Sequence, residues 1–171
     1  MNRGNALRVF VETLGQELVA NGIFAEYVAD GRLKVEMCWT SSGAISSAET
    51  ILLSEQSTPV ALILNCVADP QDLRRTIRRI LFRDAAESRW HIALAIPDMA
   101  TWLMKEPQFA ESFRQSQFNG SPLANVNYAT HLQTWLQAGN QFDRSAVSQT
   151  DEEFAALNRY IEQHVPALAI A

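Results

Sequence analysis

Two apolar runs, Val60-Ala-Leu-Ile-Leu64 and His91-Ile-Ala-Leu-Ala-Ile96, constrain this chain more than any other feature. Successive side chains of a strand point to opposite faces of its sheet, so a run apolar at every position needs cover on both faces. The middle of a parallel sheet with helices on either side supplies that cover. Pro59 precedes the first run and Pro97 ends the second, which bounds both as strands. Between them Asp69-Pro70 opens a helix, with Asp as the cap and Pro in the first turn. Strand, helix, strand in this order is the pattern of an α/β fold with a largely parallel, Rossmann-like sheet flanked by helices.

The flanking sequence extends the pattern. Leu7-Arg-Val-Phe-Val11 reads as a first strand with Leu7, Val9 and Val11 on one face. Leu14 and Leu18, four apart, support a short helix that stops at about Asn21-Gly22. The segment 32–39 alternates strictly, with Leu33, Val35, Met37 and Trp39 opposite Arg32, Lys34, Glu36 and Cys38. One wet face puts this strand at or near a sheet edge, pairing either parallel or antiparallel. A polar loop, Thr40-Ser-Ser-Gly43, then leads to a helix with Ser46 and Glu49 at capping-box spacing. Beyond Asp98 the chain turns helical. Thr101-Trp-Leu-Met104 forms a short helix, Phe109 and Phe113 mark another, and 115–125 reads as a loop around Asn119-Gly120. Ala129, Leu132, Trp135 and Leu136 share a helical face. Thr150-Asp-Glu-Glu153 reads as the capping box of a last helix, whose face is Phe154, Leu157, Tyr160, Ile161 and Val165.

Composition narrows the class. The 171 residues fit one domain by the prior of about 100–200 residues each, so 1–171 is expected to be a single domain. With 47% apolar and 19% charged residues, a disordered or collagen-like chain is excluded. No apolar run approaches the roughly 18 residues of a membrane span, and Arg8 interrupts any N-terminal signal core. Two cysteines, Cys38 and Cys66, are too few for a secreted disulfide scaffold, so a cytoplasmic location is the expectation. The net charge of −5 argues against broad, nonspecific nucleic-acid binding.

Three groups of residues are candidates for chemistry. Glu12, Asp69 and Asp98 each stand just past a predicted strand, where open parallel sheets gather ligand-binding groups. Converging there, they would hold Mg²⁺, which takes oxygen ligands, and would act as the catalytic set. Each also has a plainer role: Asp69 and Asp98 as helix caps, Glu12 as a solvated first-turn residue. The helix over 71–83 turns Arg74, Arg75, Arg78, Arg79 and Arg83 away from Leu73, Ile77, Ile80 and Leu81. Such a face binds phosphates, or is simply solvated beside Asp72, Asp84 and Glu87; the acidic whole-chain charge favours the second. No aromatic residue interleaves with the arginines, so a stacking platform for single strands is not supported. The loop 40–47 offers backbone amides for an anion at a helix start but lacks the lysine and further glycines of a P-loop. His91, His131 and His164 have no ligand spacing, and neither cysteine has a CxxC partner. Cys66 is expected to behave as a small buried hydrophobe, and Trp102 and Trp135 as core or interface aromatics.

In order along the chain, Val9-Phe-Val-Glu12, then Pro59-Val-Ala-Leu-Ile-Leu-Asn-Cys-Val-Ala-Asp-Pro70, then Ala93-Leu-Ala-Ile-Pro-Asp-Met-Ala-Thr-Trp102 resemble a Toprim-like domain of the small stand-alone bacterial type. That family has a Rossmann-type sheet with a Glu after its first strand and an Asp-x-Asp after a later one. It includes topoisomerase, primase and nuclease domains that use Mg²⁺ for phosphoryl transfer. Stand-alone members often follow the next strand with Pro-Glu-x-Glu-x-Trp. The resemblance spans roughly residues 7–104. It implies a Toprim-like core over 1–104 with a helical extension, 105–171, packed on it.

Carried over by position, Glu12 matches the acid/base glutamate, while Asn65 and Val67 fall where the paired aspartates belong. Asp98 matches the first glutamate of the later segment, Ala100 replaces the second, and Trp102 fits. Valine cannot bind a metal, and the Asn amide oxygen lacks the charge a divalent ion needs. Asp69 lies two residues beyond the second aspartate position. Two-metal chemistry needs enough carboxylates to hold both ions, so the resemblance implies a scaffold with its metal site largely dismantled. The expectation is a noncatalytic pseudoenzyme, an interaction or regulatory domain with a protein partner, no cofactor and no membrane. The alternatives are an Mg²⁺-dependent, nuclease-like enzyme using Glu12, Asp69 and Asp98 with the arginine face on nucleic-acid phosphates, and a small-anion-binding module built on the 41–43 loop. A fold does not guarantee its usual function.

Overall fold

The structure, a computed structural model, describes residues 5–81, 85–118 and 127–165. In chain order the elements are β1 (Leu7–Val11), α1 (Leu14–Ile23), α2 (Ala25–Ala29), β2 (Leu33–Met37), α3 (Ser41–Ser54), β3 (Val60–Asn65) and α4 (Pro70–Leu81). A 3-10 turn, Glu87–Arg89, leads into β4 (Trp90–Ala95). The helices α5 (Ala100–Lys105), α6 (Pro107–Phe118), α7 (Tyr128–Gln137), α8 (Arg144–Ser148) and α9 (Glu152–His164) follow.

The strands form one sheet in the order β2-β1-β3-β4, and every pair is parallel. Val9 lies opposite Val35 on one side and Ala61 on the other, and Ile63 lies opposite Ala93. Strand polarity is therefore shared, and all four carboxyl ends meet at one edge. The chain runs outward from β1 to β2 and then crosses back to β3, so the crevice between β1 and β3 is the topological switch point.

Alternation along the strands divides the core in two. Leu7, Val9, Val11, Ala61, Ile63, Ala93 and Ala95 face a cluster built with α1 and the C-terminal helices, centred on Trp102, Phe109, Phe154 and Ile161. Phe10, Leu62, Leu64, Ile92 and Leu94 face the other side, under Ala44, Ala48 and Leu52 of α3 and Ile77 of α4. Fully apolar runs in β3 and β4 are thus explained by helices on both faces. Trp102 is completely buried and Trp135 nearly so, as core aromatics, and Cys66 is buried and free. Among the described residues no helix is long and apolar enough to cross a membrane.

Several boundaries differ from the sequence reading. β4 is a hydrogen-bonded edge strand, not an interior one, and its cover comes from α9. The helix after β2 starts at Ser41 with Thr40 as its cap, accepting from the Gly43 amide at 2.9 Å, so Ser46 and Glu49 lie inside it. Gly22 does not stop α1. It lies within the helix, where an added Cβ would come 2.7 Å from Cδ2 of Leu132, so its role is to let α7 approach. The segment 115–118 continues α6, and the rest of the expected loop, 119–125, lies outside the described residues. The cap of α9 is Asp151, one residue later than expected, whose side chain accepts from the Phe154 amide.

Candidate functional site at the carboxyl edge of the sheet

Glu12 directly follows β1 and reaches the switch point. Its Oε2 accepts the backbone N–H of Asn65 at the end of β3 at 2.9 Å, and Oε1 accepts the hydroxyl of Ser41 at the start of α3. Gln16, only 4% exposed, orients the carboxylate. Its Nε2 donates to Oε2 at 3.1 Å, while its Oε1 accepts the amides of Glu12 and Thr13 at 2.7 and 3.1 Å. Thr13 returns a cap to Gln16, completing a capping box that the sequence reading missed. Thr13 and Gln16 at that spacing were its signal. Glu12 is therefore a latch that joins β1, α1, α3 and β3, rather than a solvated first-turn residue.

The positions of the resembling family's aspartates point the same way. Asn65 and Val67 are exposed while Cys66 between them is buried, so the strand end does present alternate residues to the switch point. What it presents is an amide and a valine, the latter 91% exposed. Asp69 and Asp98 lie at the same edge but serve locally. Asp69 accepts the Gln71 amide at 2.8 Å to start α4, and Asp98 accepts the Ala100 amide at 2.9 Å before α5. The expected metal set of Glu12, Asp69 and Asp98 is not assembled: among the described residues, no three His, Cys, Asp or Glu side chains form a group that could hold a metal ion. The residues present do not fit the Mg²⁺ site of that resemblance, because Glu12 is spent on three protein donors, Gln16, Ser41 and the Asn65 amide, none of them a second carboxylate.

The 40–43 loop is also occupied. Thr40 takes the Gly43 amide and Ser41 is committed to Glu12. Gly43 is needed for steric reasons, since a Cβ there would lie 2.6 Å from the carbonyl oxygen of Cys38. Just before it, Trp39 is 77% exposed with φ of 66°, a left-handed conformation uncommon for a bulky side chain.

The arginine face is divided between two settings. Arg75 and Arg79 are exposed, Arg75 beside Asp72 at 3.1 Å, whereas Arg74 is half-buried against Glu153 of α9. Arg83 lies outside the described residues, as do Asp84 and the side chains of Ile80 and Leu81. An aromatic does stand among the arginines after all: Trp90 of β4 lies under Arg78, with 5.8 Å from guanidinium carbon to ring centroid. No spacing in the sequence could show this, because α4 and β4 meet only in the fold. Next to it, burial pushes the His91 imidazole down to about 4 from an ordinary 6.5, with Glu153 opposing the shift and Arg74 and Arg159 adding to it.

No family model and no curated protein matches this chain. Among solved structures it is similar to the C-terminal region of the OLD protein of Xanthomonas campestris pv. campestris, with 13% sequence identity, 95% of this chain and 81% of that chain covered, and a TM-score of 0.45.

Proposed function

We propose that this chain is a noncatalytic, Toprim-like interaction domain whose carboxyl edge docks a protein partner that is apolar at its centre and basic around it. The observation that carries the reading is the chemistry of the four segments that leave the strands and open the following helices, residues 12–17, 38–43, 66–73 and 96–101. They contain Glu12, Glu17, Asp69, Asp72 and Asp98 and no lysine, arginine or histidine. Each also exposes one large apolar side chain: Leu14 at 53%, Trp39 at 77%, Val67 at 91% and Ile96 at 45%. An acidic edge repels the phosphates a nuclease must approach, and apolar groups gathered at one edge favour a protein surface. Tryptophan is enriched among the anchors of such interfaces.

Calorimetric titration with Mg²⁺ and Mn²⁺, run beside a Glu12→Ala control, tests the noncatalytic half of the reading. The expected result is no saturable binding up to millimolar metal and no metal-dependent cleavage of DNA or RNA. Saturable binding or cleavage that disappears in Glu12→Ala would overturn it. For the docking half, peptides selected from a random library on the whole protein are expected to be basic and apolar. Their affinity should fall about tenfold or more in Trp39→Ala and in Val67→Ser. Selected peptides that bind both variants as tightly as the wild type place docking elsewhere and overturn that half.

A further inference from the structure

Away from the carboxyl edge, α4, the first half of β4 and α9 enclose a cleft of about 690 Å³. That is within the ~300–1,000 Å³ of small-molecule sites. Its apolar lining comes from Trp90, Ile92, Ala155 and Ala156, and its charged lining is the guanidinium groups of Arg74, Arg78 and Arg159 with the carboxylates of Glu152 and Glu153. Arg74 is committed to Glu153, but Arg78 and Arg159 make no ion pair among the described residues. Arg78 instead lies over the Trp90 ring, so a planar cation and a planar aromatic are already in register.

Two further polar atoms are buried in the wall of the cleft. His91 lines it with its ring 5.3 Å from that of Tyr160, and its Nε2 is buried with no hydrogen-bond partner among the described residues. Ser148, also in the lining, has a buried Oγ in the same condition. Buried polar atoms without partners are rare in folded proteins, and here two belong to one cleft. Arg74 and Arg78 also line an adjoining groove of about 550 Å³, shared with Gln71, Arg75 and Arg79. The guanidinium row therefore continues out of the cleft along α4, with about 6 Å between side chains four residues apart.

We propose that this cleft binds a nucleoside phosphate, its base against the apolar lining beside the Trp90–Arg78 pair and its phosphate between Arg78 and Arg159. Guanidinium groups form charge-assisted hydrogen bonds to phosphate, and a flat apolar lining accepts any base by its π-face. The acidic whole-chain charge does not oppose this locally, since three arginines line the cleft against two carboxylates and Arg75 and Arg79 continue the row along α4. The same chemistry arises from a free nucleotide or from one nucleotide of a single strand whose next phosphates follow Arg75 and Arg79.

Calorimetry at low salt with adenosine 5′-monophosphate, inorganic phosphate and a short single-stranded oligonucleotide tests the proposal. The nucleotide is expected to bind saturably and at least about tenfold tighter than inorganic phosphate. Arg78→Ala and Arg159→Ala, both at exposed positions where the fold tolerates truncation, should each weaken it about tenfold. Arg114→Ala, on α6, should leave it unchanged. An oligonucleotide that binds more tightly still, and loses that gain in Arg75→Ala with Arg79→Ala, supports the site as one for strands. Equal affinity for both supports it as one for free nucleotide. Inorganic phosphate binding as tightly as nucleotide, indifference to both Arg78→Ala and Arg159→Ala, or no saturation at millimolar nucleotide would each overturn it. Because the cleft itself shares no residue with the carboxyl edge, its failure leaves the docking reading untouched.

Discussion

One guanidinium nitrogen of Arg74, Nη2, lies 2.6 and 2.7 Å from the two carboxylate oxygens of Glu153, joining α4 to α9 across the side of β4. Glu153 also accepts the Leu94 amide of β4 at 3.4 Å. Both side chains are about a quarter to a third exposed, so solvent screens the pair and its worth lies nearer a surface bridge than a buried one. Arg74→Ala and Glu153→Ala are each expected to lower unfolding stability by about 1 kcal/mol. In a double-mutant cycle read by urea denaturation, the double variant should lose less than the two singles together. Strict additivity would mean that the contact contributes nothing.

Gln16 is the support on which Glu12 rests. Gln16→Ala removes the acceptor of two backbone amides and the donor to the carboxylate, and should cost about 2 kcal/mol. Gln16→Glu tests the same contact by charge. It sets a second carboxylate against Glu12, so the folded pair holds a proton above the carboxylate range of the unfolded chain. The variant should therefore be near wild-type stability below about pH 4 and fall away from it as the pH rises toward 7. A Gln16→Glu protein as stable as the wild type at neutral pH would refute this role.

Gly22 is expected to resist substitution despite lying in a helix. Alanine there would gain up to about 1 kcal/mol of helix propensity, but its Cβ would press on Leu132, which is fully buried and has no room to yield. Gly22→Ala should be destabilised by about 1 kcal/mol net, and Gly22→Val by more, as lower denaturation midpoints with an unchanged slope.

His91 should make the fold acid-sensitive. The unfolded chain takes up its proton near 6.5, whereas the folded chain resists until about 4. The contribution is complete above about pH 6.5 and is lost as the pH falls toward 4, by about 3 kcal/mol at most. Subtracting the pH–stability profile of His91→Phe from that of the wild type should isolate this slope. A flat difference between pH 6.5 and 4 would count against the buried, neutral ring.

Periodicity carried the sheet. Leu7, Val9 and Val11 do share a face, and the apolar runs of β3 and β4 do lie between two helical layers. It could not carry the rank of β4, because an edge strand with helices on both faces has the same unbroken apolar run as an interior one. Nor could it choose among the hydroxyls of 40–47 for the cap of α3, a choice made where Ser41 meets Glu12. At the site, Glu12, Asp69 and Asp98 were visible as residues after strands, and the local caps of the two aspartates with them. The latch around Glu12 was not, since Asn65 becomes its neighbour only through the strand order. Trp90 and His91 gained a setting only when α9 crossed β4.

The strand order also dictates a sequence of waiting. Of the four strands of this sheet β1 is made first, yet it lies between β2 and β3. Its pairing with β2 spans a loop of moderate length, but its other edge stays open until Val60–Asn65 has been made. Among the described residues no strand of this sheet has a hairpin partner, so each ladder closes a crossover before it gains a hydrogen bond, a topology of nonlocal contacts that slows folding. Until then Val9 and Phe10 lack the partners Ala61 and Leu62, so a partly made sheet exposes an apolar strand edge that the finished domain covers.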